Sequence, residues 1–412
     1  MSVFRINGDR LWDSLMTMAK VGATERGGNC RLALSQEDLA GRELFMSWCR
    51  EAGMDIAFDA IGNLFARRKG LHDSLAPIVM GSHLDTQPKG GRFDGIYGVL
   101  SGLEVVRSLN DLGITTRHPL EIAVWTNEEG ARFTPAMFGS AVFTEALSLQ
   151  TALGAKDAMG ISVAEALAEI GHHGTLPFKR PFDAYFEAHI EQGPILEDNG
   201  LPVGVVTGGQ AICWLDVQVI GVGAHAGTTP MPLRKDAFLG AAEMAMALEA
   251  LSRDFAPKGL VTVGQLEIAK SSRNTIPGST QFTVDLRHHE DQQIHAMEQA
   301  VGARFAHIAQ QRGLGLEINR HWLSPATPFD SACVAAVRAA VEELEYPHQD
   351  IVSGAGHDAI HLARHCPTTM IFIPCVGGLS HNEAEDALPE DVRMGCDVLL
   401  NAVLRRAHRL PD

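Results

Sequence analysis

The chain has 412 residues, of which 45% are hydrophobic and 20% are charged, and its formal net charge is −16. This composition is typical of a water-soluble globular protein, and the length favours two domains over one. The acidic balance argues against nucleic-acid binding, which needs a basic surface, and no apolar run approaches the roughly 20 residues that cross a bilayer.

The cysteines and the N-terminal segment bear on where in the cell the protein is located. The seven cysteines are odd in number and form no Cys-x-x-Cys pair. Thiols scattered in this way fit a reducing environment better than a disulfide framework or a zinc ribbon. The segment from Met1 to Asp9 lacks the apolar core of a signal peptide, so we expect a cytoplasmic protein.

Hydrophobic periodicity predicts alternating helices and strands in the first half of the chain. In order, the predicted elements are helix 7–19, helix 35–52, strand with a turn over 54–66, strand 78–80, helix 98–109, strand 120–125, helix 155–170 and strand 183–193. The strand–loop–helix–strand order from 78 to 125 is that of a βαβ unit, which predicts a mostly parallel sheet flanked by helices.

The order of predicted helices and strands changes near Gly208-Gly209. Strands are predicted at 214–220, 260–268, 280–286 and 316–322, and helices at 236–251 and 292–311. This βαββαβ order is ferredoxin-like. Helix 331–343 and strand 368–374 then return to the first pattern, so we expect a mixed α/β domain formed by 1–210 and 329–412, with a ferredoxin-like domain inserted at 211–328.

Four predicted strands of the first domain end in side chains that bind metal ions. In chain order these side chains are His83, Asp85, Asp94, Glu128, Glu129, His189 and His381. Imidazoles mixed with carboxylates suit Zn²⁺ or a similar divalent ion, and one bridging Asp can serve two ions. Asp85, two residues after His83, is placed to accept the second ring N–H of that histidine.

Each of these residues alone has an ordinary structural explanation. A histidine at a strand end is more often a hydrogen-bonded structural residue, and adjacent glutamates are more often a solvated turn. Aspartates in a glycine-rich loop are common turn residues. The recurrence of ligand-type residues at four strand ends favours a metal centre over these explanations.

Six segments carry a family resemblance. They are Gly-Ser-His-Leu-Asp-Thr-Gln-Pro at 81–88, Asn-Glu-Glu-Gly at 127–130, His-Ile-Glu-Gln-Gly-Pro at 189–194, Gly-Val-Gly-Ala-His-Ala-Gly-Thr-Thr-Pro-Met at 221–231, Arg-Asn-Thr-Ile-Pro-Gly at 273–278 and Gly-Gly-Leu-Ser-His-Asn at 377–382. Together they resemble the hydantoinase/carbamoylase family of binuclear amidohydrolases. That family includes N-carbamoyl-L-amino acid hydrolases, β-ureidopropionases and allantoate amidohydrolases, and it is related to the dinuclear zinc aminopeptidases.

The resemblance implies two sets of metal ligands that share one aspartate: His83, Asp94 and His189 for one ion, and Asp94, Glu129 and His381 for the other. Glu128 would be the general base, which takes a proton from water and returns it to the leaving nitrogen. We count Asp85 with the catalytic residues because of its place beside His83. Zn²⁺ is the expected ion, and Mn²⁺, Co²⁺ and Ni²⁺ accept the same ligands.

The resemblance also implies a substrate-binding set, which consists of Gln192, His225, Asn274, Arg287, Gly356 and His357. His225 would polarise the scissile carbonyl from the neighbouring subunit of a homodimer formed through the inserted domain. The guanidinium fork of Arg287 suits a substrate carboxylate. A surface turn for His225 and a surface ion pair for Arg287 remain the structural alternatives.

The expected activity is hydrolysis of the ureido C–N bond of N-carbamoyl-L-amino acids or N-carbamoyl-β-alanine. Allantoate or ureidoglycolate hydrolysis is the first alternative, and a dinuclear aminopeptidase is a more distant one. A non-catalytic binding protein on the same scaffold would be expected to lack a ligand or the base, whereas every one of these residues is present.

Overall fold

The structure is a computed structural model, and it describes residues 3–269 and 271–408. Its helices are α1 (Gly8–Met18), α2 (Gln36–Glu51), α3 (Ile96–Asp111), α4 (Phe138–Phe143), α5 (Leu149–Gly154), α6 (Val163–Ile170), α7 (Ile195–Asp198), α8 (Ala237–Ser252), α9 (Asp291–Arg312), α10 (Ser331–Glu343), α11 (Asp358–Leu362) and α12 (Pro389–Ala407).

Its strands are β1 (Asp55–Phe58), β2 (Leu64–Arg68), β3 (Ile78–His83), β4 (Leu120–Trp125), β5 (Ala184–Ile190), β6 (Val203–Gly209), β7 (Ala211–Ile220), β8 (Ala224–His225), β9 (Leu260–Ile268), β10 (Thr275–Ile276), β11 (Ser279–His288), β12 (Gly315–Ser324), β13 (Thr327–Pro328), β14 (His348–Ser353) and β15 (Thr368–Ile373). The chain divides into two compact units, Met1–Gly208 with Pro328–Asp412, here called the first unit, and Gly209–Thr327, here called the inserted unit. These limits lie within two residues of the domain boundaries expected from the sequence.

The first unit is built on a mixed sheet in the order β1–β2–β4–β3–β5–β15–β6–β13, with β14 beside β6. Its centre, β4–β3–β5–β15, is parallel, which confirms the expected mostly parallel sheet flanked by helices. These central strands are buried along their whole length because α3, α10 and α12 pack against them. The carboxyl ends of β3, β4, β5 and β15 therefore meet at one edge.

The inserted unit is an antiparallel sheet in the order β12–β7–β11–β9. Along β7, buried and more exposed side chains alternate, and the buried ones, such as Leu215 and Val217, join a core with α8 and α9. Period-two burial of this kind is expected for a sheet that is covered by helices on one face. The order of its elements is the expected βαββαβ.

One predicted helix differs from the structure, and several elements of the structure were not predicted. The helix expected at 155–170 begins only at Val163, because Asp157 accepts backbone N–H groups of Met159 and Ile161 in a turn and Ser162 forms a capping box with Glu165. Strands β6 and β14 and helix α12 were not anticipated. Among the described residues, no helix is both long and apolar enough to cross a membrane.

Candidate metal centre

Two histidines at the ends of neighbouring parallel strands present the same ring nitrogen to one carboxylate. The Nδ1 atoms of His83 and His189 each lie 2.9 Å from a backbone carbonyl oxygen, of Asp85 and Ile190 respectively. A carbonyl oxygen only accepts, so in each neutral ring Nδ1 carries the proton and Nε2 keeps a lone pair. The two Nε2 atoms lie 3.7 and 3.2 Å from Oδ1 of Asp94.

The other oxygen of Asp94 faces a second group. His381 Nε2 lies 3.4 Å from Asp94 Oδ2 and 3.3 Å from Glu129 Oε2. Ligand atoms that share a zinc ion at its usual bond lengths lie about 3.4 Å apart in a tetrahedron. Both groups therefore have the spacing of metal ligands, and Asp94 belongs to both.

Asp85 has a different role from the one expected. Its carboxylate does not receive the ring proton of His83, because that hydrogen bond goes to the Asp85 carbonyl oxygen, while the carboxylate lies 3.9 Å from Nδ1. Instead, its two oxygens accept the backbone N–H groups of Glu128 and Glu129, each at 3.2 Å. Asp85 thus fixes the turn that presents both glutamates.

Glu128 stands at the centre of a crowded set of acids. Its Oε2 lies 3.4 Å from His83 Nε2. Burial, with the neighbouring carboxyl groups of Asp358 and Glu129, raises the pKa of Glu128 well above its usual range. Burial likewise raises the pKa of Asp85 to about 8.

Such a set needs positive charge if it is to ionise. Asp85, Asp94 and Glu128 are 7% exposed or less, and the side chain of Glu129 is 4% exposed. Buried carboxylates are costly unless they are paired or bind cations. Two Nε2 lone pairs aimed at the same carboxylate add donors that a divalent ion would use, so these residues fit a pair of divalent ions.

Close packing and unusual backbone angles surround the centre. A Cβ on Gly95, whose φ is +72°, would lie 2.3–2.4 Å from ring atoms of His83, so only glycine fits there. Asn127, Gln192 and His381 have φ between 53° and 59°, the left-handed region that side chains rarely adopt. Strain of this kind clusters at functional sites.

The remaining expected residues of the first unit lie around the same centre. The amide nitrogen of Gln192 donates to Asp94 Oδ2 at 2.9 Å and to Ser380 Oγ at 3.1 Å, so it already binds a candidate ligand. The ring of His357 is buried and lies edge-on to His189, with centroids 4.5 Å apart. Gly356, next to it, faces the side chain of Met137.

The predicted substrate-binding residues of the inserted unit lie near opposite ends of strand β11. His225 pairs with Thr275 in a short ladder, and the backbone carbonyl of Asn274 accepts the N–H of Ala226, so His225 and Asn274 are neighbours. Arg287 lies near the far end of β11 and binds Asp285. The eight residue steps from Ser279 to Arg287 span about 26 Å of strand.

The His225 ring has a defined tautomer. Its Nδ1 accepts the backbone N–H of Gly227 at 3.0 Å, so the neutral ring carries its proton on Nε2. The side chain is exposed. His225 is therefore a ready hydrogen-bond donor.

Two buried residues that support the centre were missed from the sequence. Glu385 accepts the backbone N–H groups of Phe93 and Asp94. Arg31, fully buried, donates to the carbonyl oxygen of Leu84 at 2.7 Å and so holds the loop after His83. Arg31 follows no strand, and Glu385 lies four residues beyond His381 in the segment after β15, so the strand-end pattern drew attention to neither.

Comparisons with known proteins show the family of this chain. The profile of Peptidase family M20/M25/M40 matches residues 79–405. An N-carbamoyl-L-amino-acid amidohydrolase of Rhizobium meliloti is 47% identical over 404 residues, which cover 98% of this chain and 97% of the relative. A ureidoglycolate hydrolase of Oryza sativa subsp. japonica is 32% identical, with coverage of 98% and 86%.

Solved structures give the same picture. The crystal structure of a hydantoinase/carbamoylase family amidase from Burkholderia ambifaria superposes with a TM-score of 0.95 at 59% sequence identity and covers 100% of both chains. The resemblance that the six sequence segments indicated is confirmed.

Proposed function

We propose that this chain, which belongs to the peptidase family M20/M25/M40 and within it to the hydantoinase/carbamoylase amidases, hydrolyses N-carbamoyl-L-amino acids. It is a hydrolase of carbon–nitrogen bonds other than peptide bonds. Water replaces ammonia at the ureido carbon, and the resulting N-carboxy amino acid breaks down to CO₂ and the amino acid. N-carbamoyl-β-alanine belongs to the same proposed substrate class.

One observation carries the proposal. Two groups of ligand-type atoms share Asp94, and a further carboxyl group, Glu128, lies beside them without belonging to either. We propose that His83, Asp94 and His189 hold one ion and that Asp94, Glu129 and His381 hold the second. When bound, such a pair of ions polarises a carbonyl group and lowers the pKa of water.

The residues of the chain have separate tasks in this proposal. Glu128 takes a proton from the attacking water and passes it to the leaving nitrogen, which its position beside both groups allows. Asp85 holds the backbone of Glu128 and Glu129 through the two N–H contacts. Gln192 orients Asp94 through its amide hydrogen bond, and His357 and Gly356 form part of the pocket wall.

The substrate clamp divides between two subunits in this proposal. Arg287 binds the substrate carboxylate, while His225, with its Nε2 proton, donates to the carbonyl oxygen and Asn274 assists it. The strand between Ser279 and Arg287 alone is far longer than a carbamoyl amino acid, which supports our proposal that His225 and Asn274 serve the active site of a neighbouring subunit. The functional form would then be a homodimer assembled through the inserted unit.

We propose Zn²⁺ as the ion, with Mn²⁺, Co²⁺ and Ni²⁺ as ions that the same ligands accept. We also propose a cytoplasmic location, because all seven cysteines are free thiols.

The test is ammonia release from a substrate panel. N-carbamoyl-L-amino acids, N-carbamoyl-β-alanine, allantoate and ureidoglycolate are each supplied to the enzyme as isolated, after chelation, and after Zn²⁺ is restored. We expect the highest kcat/KM for an N-carbamoyl-L-amino acid, loss of turnover on chelation and recovery with Zn²⁺. Preference for allantoate or ureidoglycolate would replace the proposed substrate, and no ammonia from any compound with metal restored would contradict the enzymatic proposal.

A further inference from the structure

Glu385 is a buried acid that belongs to neither ligand group, yet it contacts both ligand-bearing loops. It is 1% exposed. Its Oε1 accepts the backbone N–H groups of Phe93 at 3.0 Å and Asp94 at 3.1 Å. Its Oε2 lies 3.2 Å from the hydroxyl oxygen of Ser380, the residue that precedes His381.

Ser380 extends this contact to the ligand side chain. Its hydroxyl oxygen lies 3.0 Å from Asp94 Oδ2, the oxygen that faces His381. Glu385 thus holds the backbone of Asp94 directly. Ser380, whose single hydroxyl proton goes to one carboxylate at a time, lies between Glu385 and the carboxylate of Asp94 in the His381 segment. The contact spans about 290 residues of sequence, so no local turn could supply it.

The loop of Asp94 is shaped to receive this side chain. A Cβ on Gly91 would lie 2.0 Å from the carboxyl carbon and Oε1 of Glu385. Real atoms do not approach so closely, and the obstacle is the buried, hydrogen-bonded end of Glu385. Glycine at this position therefore leaves the space that the carboxylate occupies.

A second contact between the same two segments shows what is particular to Glu385. The guanidinium of Arg92 pairs with Asp386 at 2.8 Å, but these side chains are 28% and 47% exposed. Partly exposed ion pairs contribute little to stability. The Arg92–Asp386 pair joins the segments without touching a candidate ligand.

We propose that Glu385 is a positioning residue that sets the spacing between Asp94 and His381 which the second ion requires. The inference rests on the proposed two-metal centre. Burying a carboxylate is costly, and here the cost is offset mainly by the two backbone N–H groups of Phe93 and Asp94, which donate to Glu385. Outer contacts of this kind typically contribute about 10–100-fold to metal affinity.

The test measures Zn²⁺ binding apart from turnover. Full-length chains are stripped of metal, titrated with Zn²⁺ against a chromogenic chelator, and compared by Zn²⁺ content after gel filtration. Glu385→Ala should keep one ion near wild-type affinity and weaken the other by about 10–100-fold. Glu385→Gln should recover most of the lost affinity, because its amide oxygen can still accept the Phe93 and Asp94 N–H groups.

The matched control is Asp386→Asn, which weakens the partly exposed pair between the same segments and should leave both affinities within about twofold. Ser380→Ala is the second variant; it removes a single oxygen and should weaken the same ion by several fold even where Glu385→Ala does not fold.

The outcomes separate the two proposals. Wild-type chain that takes up two ions while folded Glu385→Ala or Ser380→Ala binds both with unchanged affinity would overturn the role of Glu385 alone. Equal weakening of both ions in these variants would also overturn it, since a general loss of structure would explain that result. Wild-type chain that takes up no Zn²⁺ would overturn the metal centre and this inference together.

Discussion

The first unit and the inserted unit carry their functional residues in opposite ways. In the first unit the candidate ligands lie at or after the ends of buried strands, and Asp94 and Glu129 are held by hydrogen bonds with other loops. In the inserted unit His225 is exposed and Asn274 lies in an exposed loop, while Arg287 is partly exposed and bonded to Asp285.

The difference reflects two physical requirements. Metal ligands must meet at one point within tenths of an ångström, so their supports are rigid and buried. In the proposed function, the residues that hold the substrate must let it enter and leave, which exposed side chains allow.

Loss of the proton acceptor should give the largest effect. Glu128→Gln should lower kcat by about 10²–10⁴-fold, since an amide cannot take the proton. Its Zn²⁺ content should remain that of the wild type, because Glu128 belongs to neither ligand group. The check is steady-state ammonia release with metal analysis, and Glu197→Gln, an exposed glutamate of the same unit, is the control. Near-normal turnover in metal-loaded Glu128→Gln would reject its role.

Loss of His225 should give the second-largest effect, and mixing two variants tests whether His225 acts in a neighbouring subunit. His225→Ala should lower kcat by about 10²–10³-fold, the usual effect of removing a donor to a developing oxyanion. Mixing this variant with Glu128→Gln should restore activity, because one site of each mixed dimer then has an intact base from one chain and an intact His225 from the other. Ammonia release is measured before and after subunit exchange.

Failure to recover activity in demonstrated mixed dimers would place His225 and Glu128 of the same chain in one site. The outcome would contradict the shared clamp while leaving the metal centre untouched.

The tight packing of the first unit can be tested at the two ends of one helix. Gly95 precedes α3 and Gly113 follows it, with φ of +72° and +64°, so alanine strains the backbone at both positions. Only at Gly95 does the new methyl meet the His83 ring; at Gly113 nothing lies within 4 Å. Gly95→Ala should weaken Zn²⁺ binding by about tenfold or more, whereas Gly113→Ala should only lower the thermal midpoint.

Equal Zn²⁺ affinity in these two variants would show that the His83 ring can move without loss. Metal titration and thermal unfolding, both followed on the full chain, decide the point.

Those parts of the fold that follow a regular pattern of apolar residues were predictable from the sequence. The mostly parallel sheet was predictable because its central strands are continuous apolar runs, and the candidate ligands stood out because they follow such runs. Strand β14 was missed because only Ile351 and Val352 are apolar in it. Helix α12 carried a readable signal, with a proline at its start and apolar residues such as Val392, Leu399 and Val403 on its buried side, and it was overlooked.

The supports of the site were beyond sequence reasoning. Glu385 and Arg31 are charged residues that composition alone would place at the surface. Their burial depends on partners distant in sequence, Asp94 for Glu385 and Leu84 for Arg31, and no local period encodes such contacts. The same holds for Asp85: its position beside His83 was predictable, but not that its backbone carbonyl, instead of its carboxylate, accepts the ring proton.

The left-handed backbone at Gln192 and His381 has a consequence for how this protein responds to selection. Glycine relieves such a conformation, so variants chosen for heat resistance will tend to accumulate glycine at these two positions. Each such change would remove an amide on Asp94 or an imidazole on Glu129. Substitutions that raise thermal stability should therefore be made at positions other than these strained residues, because changes at the strained residues would lower turnover.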